Sequence, residues 1–211
     1  MADKRLTFDS AVATGRGDDG TTGLLFGGDR VRKDDLRTEA VGTVDETVAA
    51  LGVARAELRA LADAGTLPAG LDGLADMILR IQRELFVAGA ELATDPGSHD
   101  RGRDGETRVS TAMVDGLDAL LRDAEASITL PREFVVPGET RVSAALEVAR
   151  TVCRRAERRA VTLAATDEAL AAGRLVPYLN RLADLLWILA RRAEAAEARG
   201  ATVARPDRRR G

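Results

Sequence analysis

Apolar residues recur along most of this chain at intervals of three and four, the spacing that turns one face of an α-helix toward a core. Segments rich in glycine, proline and aspartate interrupt the pattern. It predicts five helices, over about residues 37–63, 71–94, 110–127, 140–165 and 177–199. Amphipathic helices joined by short connections predict an all-α fold, here a five-helix bundle.

The two ends of the chain lack this periodicity. Residues 1–36 are rich in Gly, Asp and Thr, which predicts an irregular arm, and residues 201–211 predict a frayed tail. The bundle is thereby assigned to residues 37–200. Within it, residues 95–108 have the composition of a solvated loop, and residues 128–138, bracketed by two prolines, predict an extended connection.

Composition and charge exclude several classes of protein. A net charge of −3 argues against nucleic-acid binding, and no stretch approaches the roughly 18 apolar residues that a membrane span needs. A single cysteine, Cys153, and the absence of a basic start followed by an apolar run predict a cytoplasmic protein. Cys153 and Trp187 are interpreted as packing residues. The single histidine, His99, is expected to be exposed, and it rules out paired Glu-x-x-His metal ligands, so no metal-ligating residues are predicted.

A glycine-rich segment within the arm is the first candidate site. Glycines allow tight turns that direct several backbone N–H groups at one anion. The segment formally contains G-x-G-x-x-G, but no helix-forming sequence follows it, so a dinucleotide fold is not indicated. A disordered glycine-rich terminus is the alternative. The candidate anion-binding residues of this segment are Thr14, Gly15, Arg16, Gly17, Asp18, Thr22 and Gly23.

The fourth predicted helix carries the second candidate. Spacings of three, four and three residues predict one polar stripe, made of Glu147, Arg150, Arg154 and Glu157. A dense cationic turn adjoins it, made of Arg155, Arg158 and Arg159. Guanidinium groups bind phosphate oxygens in pairs, so the cluster suits a polyphosphate. The alternative is a solvated helix face with internal ion pairs.

The fifth predicted helix carries the third candidate. Asn180, Asp184 and Arg191 are expected to share one face, with Trp187 between them. A polar stripe in an apolar helix indicates a site or a subunit interface, and ordinary surface is the alternative.

Six segments in order along the chain resemble the trimeric, helical-bundle family of ATP:cob(I)alamin adenosyltransferases. They are GDDGTTGL (17–24), RVRKDDLRTEAVGTVDE (30–46), RIQRELFVAGAELAT (80–94), FVVPG (134–138), ARTVCRRAERR (149–159) and YLNRLADLLWILAR (178–191). The resemblance implies transfer of the 5′-deoxyadenosyl group of ATP to the cobalt of cobalamin. It also implies a homotrimer with each active site between adjacent subunits.

The resemblance assigns roles to individual residues. It implies that the arm wraps the triphosphate with the help of Mg²⁺ and that ATP is contacted by Thr14, Gly17, Thr22, Lys33, Arg154, Arg155, Glu157 and Asn180. Asp45 and Arg150 match an ion pair across the subunit boundary near the corrin. Phe134 matches an aromatic residue that occupies the lower face of cobalamin. We therefore expect the catalytic residues to be Phe134, Asp45, Arg150 and Arg154, and Arg158 to support the nucleotide site.

The chain departs from the family's pattern at several positions. Gly15-Arg16 stands where Lys-Thr is usual, Glu139 replaces a glycine, and Glu147 replaces a common histidine. An alternative function is a noncatalytic carrier that binds ATP or cobalamin and delivers the coenzyme. In either case a reductase and a B12-dependent acceptor enzyme are the expected partners.

Overall fold

A computed structural model describes residues 10–205. Its helices are α1 (Leu36–Asp63), α2 (Leu74–Ala93), α3 (Thr111–Ala126), α4 (Arg141–Ala164), α5 (Glu168–Ala172) and α6 (Leu175–Ala196). The mostly helical fold and the five predicted long helices are confirmed, with ends close to the predicted ones. The short α5 was not predicted, because five residues are too few for a periodic pattern to be recognised.

Side-chain caps explain where several helices begin. The Asp35 carboxylate accepts a hydrogen bond from the Arg37 backbone N–H at 2.8 Å and starts α1. Thr140 and Ser143 form a reciprocal capping box at the start of α4, with N–H···O distances of 3.0 and 3.1 Å. Each cap satisfies backbone donors that the first turn of a helix leaves free.

Helix α4 occupies a central position, because it packs against α1 on one side and α6 on the other. Helix α2 packs against α1, and α3 against α6. Salt bridges join α1 to α4 in reversed order along the two helices, and they pair Glu39 with Arg159, Glu46 with Arg155 and Glu57 with Arg141. The two helices are therefore antiparallel, and the C-terminal half of α4 lies beside the N-terminal end of α1.

Two short antiparallel hairpins add to the helices. Strand β1 (Thr21–Thr22) pairs with β2 (Val31–Arg32) inside the arm, and β3 (Val135–Val136) pairs with β4 (Thr202–Val203). The prediction of a frayed tail was therefore wrong for residues 202–204, because their partner strand lies far away in sequence. The remaining tail residues, 206–211, and residues 1–9 of the arm lie outside the described residues.

Short 3₁₀ turns occur at Ala69–Leu71 and Pro96–Arg101, so part of the predicted solvated loop is structured. Helix α1 begins at Leu36, inside the segment that the sequence assigned to the arm. None of the helices between residues 10 and 205 is long and apolar enough to cross a membrane.

Candidate functional site

The glycine-rich segment of the arm forms a compact double turn. The N–H of Asp18 donates to the carbonyl of Gly15 at 3.2 Å, and the N–H of Gly20 donates to that of Gly17 at 3.1 Å. Gly15 and Gly20 have φ angles of 69° and 79°, a conformation that glycine adopts without strain. The glycine positions thus have a direct conformational role in this turn.

Lys33 lies directly against this turn. Its N–H donates to the Gly20 carbonyl at 2.9 Å, and a Cβ added at Gly17 would stand only 2.8 Å from the Lys33 Nζ. The exposed Lys33 forms no salt bridge with any residue from 10 to 205. The ammonium group therefore lies beside the turn without a counter-ion among residues 10–205.

Arg30 and Asp19 brace the arm, and the sequence analysis missed both. The Arg30 guanidinium donates to Thr21 Oγ1 at 2.7 Å and to the carbonyls of Arg16 and Thr21 at 2.8 and 2.9 Å. Asp19 accepts from the Thr21 hydroxyl at 2.7 Å, and this hydrogen bond lowers the pKa of the Asp19 carboxyl. Both residues lie within the resembling segments, but their neighbours in space could not be deduced from spacing alone.

The base of the arm is fixed to the C-terminal end of α2. The Leu25 N–H donates to the Ala93 carbonyl at 2.8 Å, and the Asp95 N–H donates to the Leu25 carbonyl at 3.1 Å. Arg101 stacks over the Phe26 ring at 4.6 Å and donates to the Phe26 carbonyl at 3.0 Å. The arm is therefore attached to the bundle through Leu25 and Phe26, which follow the double turn in sequence.

A buried ion pair lies next to this attachment. The Arg37 guanidinium is 2.5 Å from Asp167, and it also donates to the carbonyls of Leu92 and Thr94. His99 Nε2 lies 3.0 Å from the same Asp167 oxygen, with 20% of its side chain exposed. The expectation that His99 would be freely exposed was therefore wrong, because its partner comes from a distant segment. We name Arg37, His99 and Asp167 the arm-base cluster.

The cationic turn of α4 faces the N-terminal half of α1. Arg155 pairs with Glu46 at 2.6 Å, and Asn180 of α6 donates to Glu157 at 3.1 Å. Arg154 is exposed and has no ion-pair partner in the described part of the chain, and Arg158 donates to the Arg154 carbonyl. Because the arm joins the N-terminal end of α1, the arm and this cationic turn lie at the same end of the bundle.

A groove of about 620 Å³ lies between the β3–β4 hairpin and the α4–α6 pair, and Phe134, Glu147, Arg150 and Trp187 are among its lining residues. Phe134 is 89% exposed, although its carbonyl accepts a hydrogen bond from the Ala204 N–H at 2.8 Å. The fold therefore fixes the backbone of an aromatic residue whose ring faces open space. Phe134 and Arg150 are brought together in this groove.

Buried charges lie beneath the groove. Glu147 accepts from Arg150 Nε at 2.6 Å, and its other oxygen lies 3.3 Å from Arg191 Nη2. Arg191 also donates to Glu194 at 2.7 Å, and burial raises the pKa of Glu194. Arg191 therefore lies in the core, whereas Asn180 and Asp184, which share its face of α6 as predicted, are exposed nearer the N-terminal end of the helix. Its two ion-pair partners, Glu147 of α4 and Glu194 of α6, are both buried, which explains why Arg191 is buried as well.

Several predicted residues are not joined to these clusters within the chain. Asp45 is exposed and has no ion pair among residues 10–205, and Arg150 is bonded to Glu147 instead. Thr14 is exposed at the start of the arm, and Thr22 pairs with Val31 in the hairpin.

Cys153 is buried, and burial raises the pKa of its thiol, in agreement with a packing role. Trp187 is half-buried, packs against the core as expected of a packing residue, and also lines the groove. Its ring also lies 5.8 Å from the Arg191 guanidinium.

The chain is therefore a helical-bundle protein with a groove lined by both apolar and charged side chains, a cationic turn on α4 and a glycine-rich arm. The chain belongs to the cobalamin adenosyltransferase family, whose model matches residues 12–193, and it is a transferase.

Curated relatives cover most of the chain. The corrinoid adenosyltransferase of Citrobacter freundii is 39% identical over 184 residues, which cover 85% of this chain and 93% of that protein. The cobalamin adenosyltransferase of Cupriavidus metallidurans is 39% identical over 182 residues, which cover 86% of this chain and 87% of that protein.

Solved structures also match. A variant PduO-type ATP:corrinoid adenosyltransferase from Lactobacillus reuteri, complexed with cobalamin and ATP, superposes with a TM-score of 0.75 at 26% identity. The match covers 92% of this chain and 97% of that one. A second variant from that organism, complexed with ATP, gives a TM-score of 0.74 at 25% identity.

Proposed function

We propose that this chain transfers the 5′-deoxyadenosyl group of ATP to cob(I)alamin, giving adenosylcobalamin and triphosphate. One observation carries the proposal: α4 presents Arg150 in the groove beside Phe134 and, one turn later, the exposed Arg154, which has no ion-pair partner among residues 10–205. Four residues of helix advance about 6 Å along one face. A corrin in the groove and a nucleotide on the cationic turn would therefore be adjacent.

The reaction requires no base or covalent residue from the protein. The Co(I) electron pair attacks C5′ of ATP, the C5′–O bond breaks, and triphosphate leaves with the bonding electrons, so cobalt becomes Co(III). The duties left to the protein are to align the two substrates and to stabilise the negative charge that grows on the leaving group. Arg154 and Lys33 are the exposed cations that we assign to the triphosphate.

The arm supplies the other half of the nucleotide site in this proposal. Its double turn offers backbone N–H groups at residues 15–17, Gly23 follows the β1 strand, and Lys33 lies beside the turn. Arg155, Glu157, Arg158 and Asn180 form the opposite wall on α4 and α6. We infer that residues up to about 36 act as a nucleotide-binding arm and that residues 37–200 form the adenosyltransferase bundle.

Mg²⁺ fits this site as part of the nucleotide substrate. No group of three or more His, Cys, Asp or Glu side chains in residues 10–205 could hold a metal ion. Mg²⁺ usually retains several waters and binds through substrate phosphates. It would reduce the charge of the triphosphate, and Asp18 and Asp19 are the carboxylates that lie within the double turn.

Phe134 is assigned to the lower face of cobalamin. An apolar ring there cannot ligate cobalt, so it would keep the axial nitrogen ligand away and ease reduction of Co(II) to Co(I). The exposed position of Phe134 in the groove supports this role. The electron would come from a separate reductase, and the finished coenzyme would pass to a B12-dependent acceptor enzyme.

The assembly that we propose is a homotrimer with a site at each subunit boundary. Asp45 has no ion pair within residues 10–205, and only Nε of Arg150 is hydrogen-bonded there. These unused groups support an Asp45–Arg150 pair between neighbouring subunits. In that arrangement each site would contain residues from two chains.

An anaerobic assay tests the proposed reaction. Purified protein is mixed with ATP, Mg²⁺ and chemically reduced cobalamin, and adenosylcobalamin and free triphosphate are measured together. Equal amounts of the two products are expected. Binding of both substrates without triphosphate release would favour the noncatalytic carrier instead.

A further inference from the structure

Glu147 and Arg150 line the groove, and the buried Arg191 and Glu194 continue this cluster of charges into the core. Glu147 is 4% exposed, yet it contacts two guanidinium groups, that of Arg150 in the groove and that of Arg191 in the core. Arg191 is balanced in turn by Glu194 at 2.7 Å. A buried carboxylate between two cations is an arrangement that restricts the positions of all its members.

Arg150 donates a hydrogen bond to Glu147 through one atom, its Nε. The Nε···O distance is 2.6 Å, while the two terminal nitrogens of Arg150 have no hydrogen-bond partner in the described range. A guanidinium is planar and rigid, so fixing Nε also fixes the directions of the terminal N–H groups. Arg150 is a long side chain with 24% of its surface exposed, and it could otherwise adopt many rotamers.

Arg191 compensates the buried carboxylate of Glu147 from the side of the core. A buried carboxylate with one partly exposed partner is poorly compensated, whereas two guanidinium groups balance it. The Arg191 side chain is only 3% exposed and cannot reach the groove surface as Arg150 does. Its role is therefore to support Glu147, and the role of Glu147 is to hold Arg150.

We propose that Glu147 is a positioning residue that holds the Arg150 guanidinium by Nε, so that one terminal nitrogen is left for the proposed pair with Asp45 of a neighbouring subunit and the other is directed at cobalamin in the groove. This inference rests on the proposed function, because it takes cobalamin as the ligand of the groove. Glu147 acts through Arg150 and does not itself bind the corrin.

The main test is Glu147→Gln, which keeps the size of the side chain and removes its charge. The dissociation constant for cob(II)alamin, measured by absorbance titration, should rise roughly tenfold, the effect of losing one charge-assisted hydrogen bond. The KM for ATP should change less than about twofold, since the nucleotide contacts are elsewhere.

The matched control is Glu194→Gln, which removes a carboxylate from Arg191 without touching Arg150. It should leave the cob(II)alamin affinity unchanged. If the two variants weaken cob(II)alamin binding equally, Glu147 only neutralises Arg191 and the proposal is overturned. Should Glu147→Gln not fold, Glu147→Asp keeps the charge but shortens the side chain, and it should weaken cob(II)alamin binding in the same way.

A double-mutant cycle separates action through Arg150 from direct contact with the corrin. Adding Glu147→Gln to Arg150→Ala should change the cob(II)alamin affinity no further. An additional loss would mean that Glu147 contacts the ligand itself, contrary to the proposal. If the wild-type enzyme is active and Glu147→Gln binds cob(II)alamin with unaltered affinity, this inference alone is overturned. If the wild-type protein binds no cobalamin, the proposed function is overturned as well.

Discussion

Arg154 and Arg155 are adjacent in sequence, yet the fold gives them different surroundings. Arg155 points to α1 and pairs with Glu46, whereas Arg154 is exposed without an ion-pair partner in residues 10–205. An arginine already paired with a carboxylate has part of its charge neutralised and fewer free N–H groups to donate to an incoming anion. At the scale of single residues, Arg154 is therefore the stronger candidate for transition-state stabilisation.

Arg154→Ala should lower kcat/KM by roughly 30- to 1000-fold, which corresponds to about 2–4 kcal/mol of lost stabilisation of the leaving triphosphate. Steady-state formation of adenosylcobalamin measures it. The control is Arg141→Ala, at the far end of the same helix, where the ion pair with Glu57 is long and exposed. An unchanged rate in Arg154→Ala would remove this arginine from the site.

Phe134→Ala should slow the reaction that starts from cob(II)alamin more than the reaction that starts from pre-reduced cob(I)alamin. The physical reason is that the ring acts on the reduction step by excluding the axial ligand. Val136→Ala is the matched control, because Val136 lies in the same hairpin but does not line the groove. Equal slowing of both reactions by Phe134→Ala would contradict the role assigned to the ring.

At the scale of elements, the double turn of the arm lies in close contact with the Lys33 side chain at Gly17. A methyl group at Gly17 would meet the end of the flexible Lys33 side chain and would lie 3.3 Å from the Thr21 carbonyl oxygen. Lys33 can move aside, so Gly17→Ala should unfold at nearly the same temperature as the wild type. Its KM for ATP should rise roughly three- to tenfold, because the displaced ammonium no longer faces the phosphates. Gly200→Ala, where a methyl group meets nothing within 4 Å, should leave this KM unaltered.

The arm-base cluster links α1, the 96–101 turn and the start of α5. Burial raises the pKa of Asp167, but hydrogen bonds from Arg37 and His99 outweigh it, so the pKa lies below its ordinary value. A depressed carboxyl pKa stabilises the fold above the pKa of the unfolded chain, and this contribution is lost as the pH falls through the folded value.

Asp167→Asn should therefore lower the free energy of unfolding by about 3 kcal/mol or more near pH 7, since it leaves Arg37 buried without its counter-ion. Urea titrations at pH 5 and pH 3 should show the difference from wild type shrinking in acid. A difference that stays constant over this range would mean that ionisation of Asp167 does not support the fold.

At the scale of the whole molecule, light scattering should give a mass near three times the 22.4 kDa of one chain. Asp45→Ala should weaken cobalamin turnover and shift the assembly toward smaller species on dilution, because it removes one side of the proposed Asp45–Arg150 pair. A wild-type monomer with full activity would contradict sites shared between subunits.

The helices were predictable because hydrophobic periodicity is a local property of the sequence. The spacing of Leu74, Ile78, Ile81 and Leu85 is sufficient to mark the inward face of α2, and all four side chains are buried. Contacts between distant segments were not predictable in this way. The pairing of His99 with Asp167 and of Val135 with Val203 required knowledge of which segments become neighbours.

The same difference between local patterns and long-range contacts applies to the candidate site. The resembling segments indicated Phe134, Arg150 and Arg154, and the fold brings Phe134 and Arg150 into one groove. Spacing on a helix could not reveal that Glu147 faces inward between two arginines, because burial depends on what α6 presents opposite α4.

The sequence by itself determined the long helices, the glycine-rich character of the arm and membership of the family. Periodicity and backbone freedom depend on residues close together in sequence, and motif order is read directly along the chain. Tertiary structure alone decided which charges are buried, which are free and which segments close the groove. Burial and pairing depend on distances between residues remote in sequence, and packing of α4 between α1 and α6 sets those distances.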